Sequence, residues 1–376
     1  MKSFLKDIRN NIQQSFSINN DIGILNGISG YILYNAYYEN FIEQKDDNFA
    51  ETLINICIDK INSGYKMPTF CDGIAGFAWT LSFLDNNKIN DIQDDIYEPL
   101  DLMVIEFFNY AINNSYDFLH GASGCIYYFY HRNLKQDSLK INFNVFFEKY
   151  IHCMEQQYIK IKHLKKFDEP HNFNQKTYSG LAHGIASYIS ILGKLSTISK
   201  FHEKCSDLSK KFYLFLMEYR FESKNKISLF PTWISETTKV TKDDSILSWC
   251  TGDLGIGLSL LNTGILAKND QMKNHGFEIL NHSSKRFEQH QSRLNTPNLC
   301  HGYFGAYKIF SHIYALTQEK NFLFAKKHWL NIGLESVKKN LPKDLFLING
   351  QAGIGLALID EYTETDHNWG ECLLIS

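Results

Sequence analysis

Apolar residues along this chain fall into two alternating patterns. In one, a stretch is apolar almost without interruption: Tyr31–Ile42, Phe77–Leu84, Cys125–Tyr130, Tyr188–Leu195 and Ala306–Leu316. In the other, apolar positions return at helical spacing among polar ones. Phe4–Phe16, Glu51–Ile61, Ile96–Ile112, Phe146–Tyr158, Cys205–Tyr219 and Phe322–Val337 read this way. A helix apolar all round belongs in a core, whereas one with a single apolar stripe keeps a face in water. The patterns therefore predict buried helices alternating with half-exposed ones. No long strand-like alternation competes, and only six prolines interrupt 376 residues.

A short Gly-x-x-Gly-type turn opens each buried stretch. These turns are Asn26–Gly30, Asp72–Gly76, His120–Gly124, His183–Ser187, Thr251–Gly255, His301–Gly305 and Asn349–Gly353. Their first glycines stand at 27, 73, 121, 184, 252, 302 and 350, in steps of 46, 48, 63, 68, 50 and 48. Each step is room for two helices and two connections. The third and fourth carry extra chain around Lys160–Thr177 and Glu222–Asp244. Length alone would suggest two or three domains, but internal repetition overrides that prior. The expected fold is an all-α double layer of seven inner and seven outer helices, one domain over residues 1–376. The ring is expected to close, because an open solenoid needs polar caps. Glycine at the turns suits a positive φ or a close backbone approach. Helices starting there would point free N–H groups toward one rim.

Charge narrows the function classes. With 38 basic and 41 acidic residues the net charge is -3, which gives no electrostatic footprint for nucleic acid. No polybasic cluster argues for a membrane surface, and no run of about 18 apolar residues suggests a span. Met1–Asp7 lacks the apolar core of a signal peptide. The eight cysteines are widely and irregularly spaced. A disulfide framework is not expected, and the compartment is read as cytoplasmic.

The repeats give a frame for comparing chemistry. One residue before the first glycine stand Asn26, Asp72, His120, His183, Thr251, His301 and Asn349; one further back stand Leu25, Cys71, Leu119, Ala182, Cys250, Cys300 and Ile348. Helix capping accounts for Asn26, Asp72, Thr251 and Asn349, but poorly for three histidines. Repeats five and six are neighbours and bring together Cys250, Cys300 and His301. Each cysteine alone reads as a small buried filler. Their matched positions favour metal: two thiolates and an imidazole are preferred zinc ligands, and three protein ligands leave a fourth position open. Cys71 shares the local position, but three repeats separate it from repeat five, and it is read as structural. Repeats three and four supply Asp117, His120 and His183. His183 should face the metal and exchange a proton near neutral pH. Asp117 would orient it by a hydrogen bond, and His120 is read as a satisfied barrel-lining residue.

These residues carry a family resemblance. Ser179-Gly180-Leu181-Ala182-His183-Gly184-Ile185-Ala186, Ser248-Trp249-Cys250-Thr251-Gly252-Asp253-Leu254-Gly255 and Cys300-His301-Gly302-Tyr303-Phe304-Gly305 resemble the signature motifs of the LanC lanthionine cyclases. Tyr116-Asp117-Phe118-Leu119-His120-Gly121 resembles the motif that carries that family's aspartate. The resemblance extends over essentially the whole chain. It implies an α,α-toroid with zinc at one end of the barrel, held by Cys250, Cys300 and His301. It also implies a general acid/base at His183 and a catalytic aspartate at Asp117. The implied reaction forms (methyl)lanthionine rings in a dehydrated lantibiotic precursor peptide. A peptide thiolate, activated by zinc, adds to dehydroalanine or dehydrobutyrine, and His183 protonates the enolate. A dehydratase and an exporter are the implied partners, holding the enzyme at the inner face of the membrane without an anchor of its own. The inserted segments are candidates for peptide binding.

The chain departs from the family at three positions. Ile246 stands where the family often has Arg, Thr251 where it commonly has Tyr, and Ser187 where it usually has Gly. Lys242 is a candidate to replace the missing charge. Two rival readings follow: a non-catalytic zinc- and thiol-binding relative, and a toroidal zinc-dependent prenyltransferase-like enzyme. The second typically uses an Asp, Cys and His set and fits the two cysteine motifs poorly.

Overall fold

The computed structural model describes residues 1–18, 20–43, 48–134, 140–163, 176–222, 226–235 and 244–376. Lys242 and much of both inserted segments lie outside the described residues. The helices of the first half are α1 (Lys2–Ser15), α2 (Ile28–Phe41), α3 (Phe49–Asn62), α4 (Ile74–Asn86), α5 (Tyr97–Ala111), α6 (Ala122–Asn133), α7 (Asn144–His163) and α8 (Ile185–Leu195). Then come α9 (His202–Met217), α10 (Asp253–Leu266), α11 (Asp270–Ser283), the short α12 (Gln289–Ser292), α13 (Tyr303–Thr317), α14 (Lys320–Lys339) and α15 (Gln351–Tyr362). All seven turns open a helix: α2, α4, α6, α8, α10, α13 and α15. Burial follows the sequence pattern. Every residue of α2 from Ile28 to Tyr38 and of α4 from Ile74 to Leu84 is buried, whereas α3 buries only Phe49, Ala50, Leu53, Ile54 and Cys57.

The described residues group into two compact units. One comprises Met1–Phe143, Pro297–Leu299 and Ile332–Cys372; the other comprises Asn144–Thr296, Cys300–Asn331 and Leu373–Ser376. In the first, α15, α2, α4 and α6 pack in that order, with α1 against α15 and α2, α3 against α2, and α5 against α4 and α6. Backbone bonds run in the same order through equivalent turn residues. Ile348 N–H donates to Leu25 at 3.2 Å, Leu25 N–H to Cys71 at 3.0 Å and Cys71 N–H to Leu119 at 2.9 Å. Repeat seven is thereby joined to repeat one. In the second unit α8, α10 and α13 pack in order, α9 and α7 lie against α8, and α11 covers α10. A short antiparallel ribbon pairs β1 (Lys176–Tyr178) with β2 (Trp233–Ser235), Tyr178 opposite Trp233.

The first glycine of each turn is the N-cap of its helix, with extended backbone and no side-chain cap bond. Positive φ is therefore not why glycine stands there; close approach is. A Cβ on Gly73 would lie 2.0 Å from the Met67 carbonyl oxygen, and one on Gly252 2.0 Å from that of Ile246. In five of the turns the carbonyl six residues before the glycine folds under it and accepts the first helical N–H. Ile28 donates to Asp21 at 3.0 Å; Ile74 to Met67, Ala122 to Ser115, Tyr303 to Thr296 and Gln351 to Asp344 each do so at 2.9 Å. This corrects two expectations. Asn26, Asp72, Thr251 and Asn349 are not the helix caps, and in α2, α4, α6, α13 and α15 the first N–H, expected to point free toward an electropositive rim, is bonded within its turn.

Candidate metal centre

Cys250 precedes α10, and Cys300 and His301 precede α13. Their ligand atoms all lie within 4.8 Å of one another, and the three residues are partly buried. The Cys250 turn is anchored from below. Trp249 is 1% exposed and its indole Nε1–H donates to the Leu373 carbonyl at 2.7 Å. The hydroxyls of Ser248 and Thr251 lie 3.7 and 3.9 Å from Cys250 Sγ. Hydrogen bonding from Cys300, and further from His301, holds the Cys250 thiol well below its ordinary pKa against the opposing effect of burial. The same contact with Cys250 raises the His301 imidazole. Two thiols and an imidazole placed this way could hold a metal cation.

Arg286 and Asp253 brace this turn. Asp253, fully buried, accepts Leu229 N–H at 2.8 Å, Phe230 N–H at 3.1 Å and the Arg286 guanidinium at 3.2 Å. Arg286 also donates to the Ser245 carbonyl at 2.6 Å and to that of Gln291 at 2.8 Å. Sequence reading missed this pair, because nothing in the spacing of residues 253 and 286 joins them.

His183 is exposed at the turn before α8, its ring centre 6.4 Å from that of Tyr178. Ala182 N–H donates to the Cys250 carbonyl at 3.2 Å, so the His183 turn is bonded to the turn bearing the first thiol. Asp117 belongs to the first unit and His183 to the second. Asp117 Oδ1 accepts the N–H groups of Leu119 and His120, both at 2.8 Å, and so shapes its own turn.

The structure also groups residues that sequence reading had set aside. The ligand atoms of Cys71, Asp72 and His120 lie within 4.8 Å of one another. His120 Nδ1 is 3.4 Å from Asp72 Oδ2, and Asn26 Nδ2 donates to Asp72 Oδ1 at 3.1 Å and to Cys71 Sγ at 3.3 Å. The His120 bond holds the Asp72 carboxyl down at about 2 and raises the imidazole in return, while burial pushes the Cys71 thiol up. His120 is about half-exposed, and its imidazole finds a partner in Asp72. The signal was available: Cys71 and His120 hold the repeat positions of Cys250 and His301.

Residues 18–374 match the family described as lanthionine synthetase C-like protein. The nisin biosynthesis protein NisC of Lactococcus lactis subsp. lactis is 26% identical over 383 residues, covering 94% of this chain and 89% of that protein. A solved nisin cyclase structure matches with a TM-score of 0.71 at 20% identity, covering 99% of this chain and 96% of that one. The likeness gives the chain the all-α, α,α-toroid fold that its repeats predicted.

Proposed function

The chain belongs to the lanthionine synthetase C-like family, and we propose from that premise that it is a lanthionine cyclase. It closes (methyl)lanthionine rings in a dehydrated precursor peptide of the lantibiotic kind. The observation that carries this reading is the Cys250, Cys300 and His301 donor set on turns of neighbouring repeats. Two thiols and an imidazole are preferred zinc ligands, and Cys250, Cys300 and His301 would hold the ion with a fourth position left for the substrate. Bound there, zinc supplies a Lewis acid that brings a peptide thiol, with an ordinary pKa near 8.5, to thiolate at neutral pH.

The remaining chemistry falls to the protein. Ring closure conserves atoms: the peptide thiol gives up its proton, the sulfur bonds to Cβ, the alkene π pair moves toward the carbonyl, and one proton is taken up at Cα. His183 delivers that proton, from a turn bonded to the Cys250 turn. The face from which it does so sets the configuration at Cα. Asp117 supports the acid–base function from the turn it shapes.

The family match from 18 to 374 extends through both compact units, which supports treating residues 1–376 as one domain. Among the described residues no helix is long and apolar enough to cross a membrane. The enzyme works in the cytoplasm, and a dehydratase and an exporter bring it to the inner membrane face. Ile246, in place of the family's arginine, favours one second reading, a thiol-binding relative without turnover. Ring closure leaves mass unchanged, so the assay counts free thiols on a dehydrated peptide by alkylation and mass spectrometry. Loss of free thiols with wild type but not with Cys300→Ala, together with loss of zinc from that variant, is the expected result. Undiminished peptide thiols with zinc-loaded wild type would leave the thiol-binding reading in its place.

A further inference from the structure

The turns of repeats two and three repeat the construction of the Cys250 centre. Cys71 and Cys250 each stand two residues before the first glycine of their turn; His120 and His301 each stand one residue before the first glycine of the next. The backbone around them repeats as well. The Cys71 carbonyl accepts Leu25 N–H at 3.0 Å and the Cys250 carbonyl accepts Ala182 N–H at 3.2 Å, from equivalent residues of the preceding repeats. Gly23 and Gly180, four residues before those repeats' first glycines, press on the same two carbonyls. A Cβ would come within 2.4 Å of the Cys71 oxygen and 2.2 Å of the Cys250 oxygen. One frame thus places a thiol and an imidazole together twice. The third donor differs. Leu119 holds the Cys300 position, and Asp72, from the Thr251 position, supplies a carboxylate instead.

We propose that Cys71, Asp72 and His120 bind a second divalent cation of the zinc class, independently of the cyclase chemistry. The set offers sulfur, oxygen and nitrogen from three side chains whose ligand atoms lie within 4.8 Å of one another. Thiolate and carboxylate together balance two positive charges, and the imidazole binds neutral. A thiolate donor selects borderline or soft cations over magnesium and calcium, which take oxygen ligands. Asn26 stands in the repeat position of His183, and its amide already bridges the thiol and the carboxylate. Asp117 fixes the turn that presents His120. The half-exposed His120 leaves an approach for the ion. With one thiolate fewer, the site is weaker than the Cys250 centre, and it clamps repeat two to repeat three.

The test measures metal in the whole chain with the first centre removed. Zinc equivalents are counted by mass spectrometry, and cobalt(II) is titrated while thiolate-to-cobalt absorption is followed. Wild type should hold two zinc equivalents; Cys300→Ala should keep one and develop the cobalt–thiolate band. Adding Cys71→Ser to Cys300→Ala should abolish both. His120→Ala alters an exposed side chain, so the fold is kept, as circular dichroism would verify; it should lose one equivalent and no more. The proposal is overturned if folded Cys300→Ala gives no band, if the band survives Cys71→Ser, or if His120→Ala holds as much zinc as wild type. Ring closure by wild type is scored separately, so failure of the cyclase reading would leave these metal counts unaffected.

Discussion

Arg286→Met should uncouple the support of the metal turn from its ligands. In the native chain Asp253 is wholly buried and pairs with the Arg286 guanidinium at 3.2 Å. Removing one member of such a pair leaves a buried carboxylate uncompensated, which costs about 3–5 kcal/mol. Two N–H bonds from Leu229 and Phe230 remain on the carboxylate, so we expect the lower end, about 3 kcal/mol at pH 7. The deficit should depend on pH, with a definite sign. Burial holds the Asp253 carboxyl above its ordinary range, and Arg286 pulls it back. A carboxyl whose folded pKa exceeds its unfolded value near 3.9 penalises the fold once ionised. That penalty is absent below the unfolded pKa and grows as pH rises to the folded one. Without Arg286 the folded pKa climbs further, so the deficit should widen between pH 5 and pH 7. Urea unfolding at the two pH values reads it, and Arg286→Met with Asp253→Asn should recover a large part. Ser245 and Asp253 flank Cys250, so zinc affinity should fall in the single variant as well. A loss below about 1 kcal/mol at pH 7, or the same loss at both pH values, would refute the reasoning.

Three further outcomes follow from the same geometry. His183→Ala should retain its zinc, since His183 is not among the three grouped ligands, yet lose ring closure or scramble configuration at Cα; normal product from this variant would remove His183 from the mechanism. Ile246→Arg should fold normally, because it is the Ile246 backbone carbonyl that lies beneath Gly252, and should close rings faster; an unchanged rate would show that another basic group already supplies the charge. In metal-free protein, iodoacetamide at pH 6 should label Cys250, whose thiol is held low, at least about tenfold faster than the buried Cys71, whose thiol is pushed up. Peptide mapping after a short exposure measures the ratio.

Much of the fold was legible because it depends on periodicity. The largely apolar stretch Tyr31–Ile42 falls almost wholly within α2, which is buried from Ile28 to Tyr38, and the single stripe of Glu51–Ile61 became α3 with one buried face. What periodicity lacked was the inside of the turn. A glycine can serve a positive φ or a close neighbour, and only coordinates show the Ile246 oxygen occupying the Cβ position of Gly252. The grouping of Cys250, Cys300 and His301 was readable from repeat position. The bracing of Asp253 by Arg286 was not, since residues 33 apart in different elements carry no shared pattern.

The turn geometry explains why the same reading found one cluster and passed over the other. Once the capping carbonyl comes from six residues upstream, the side chains one and two positions before the glycine are released from holding the helix. Those positions then become interchangeable sites for chemistry. Assigning Asn26 and Asp72 to capping hid that freedom, and with it the grouping that includes Cys71 and His120. The distance argument against Cys71, three repeats from Cys250, was sound for a single centre. It does not bear on a centre built with the next repeat, where Cys71 N–H is bonded to the Leu119 carbonyl at 2.9 Å and His120 is the adjoining residue. A repeat chassis should therefore be searched for every neighbouring pair of turns, because each pair offers the same frame in which a thiol and an imidazole can meet.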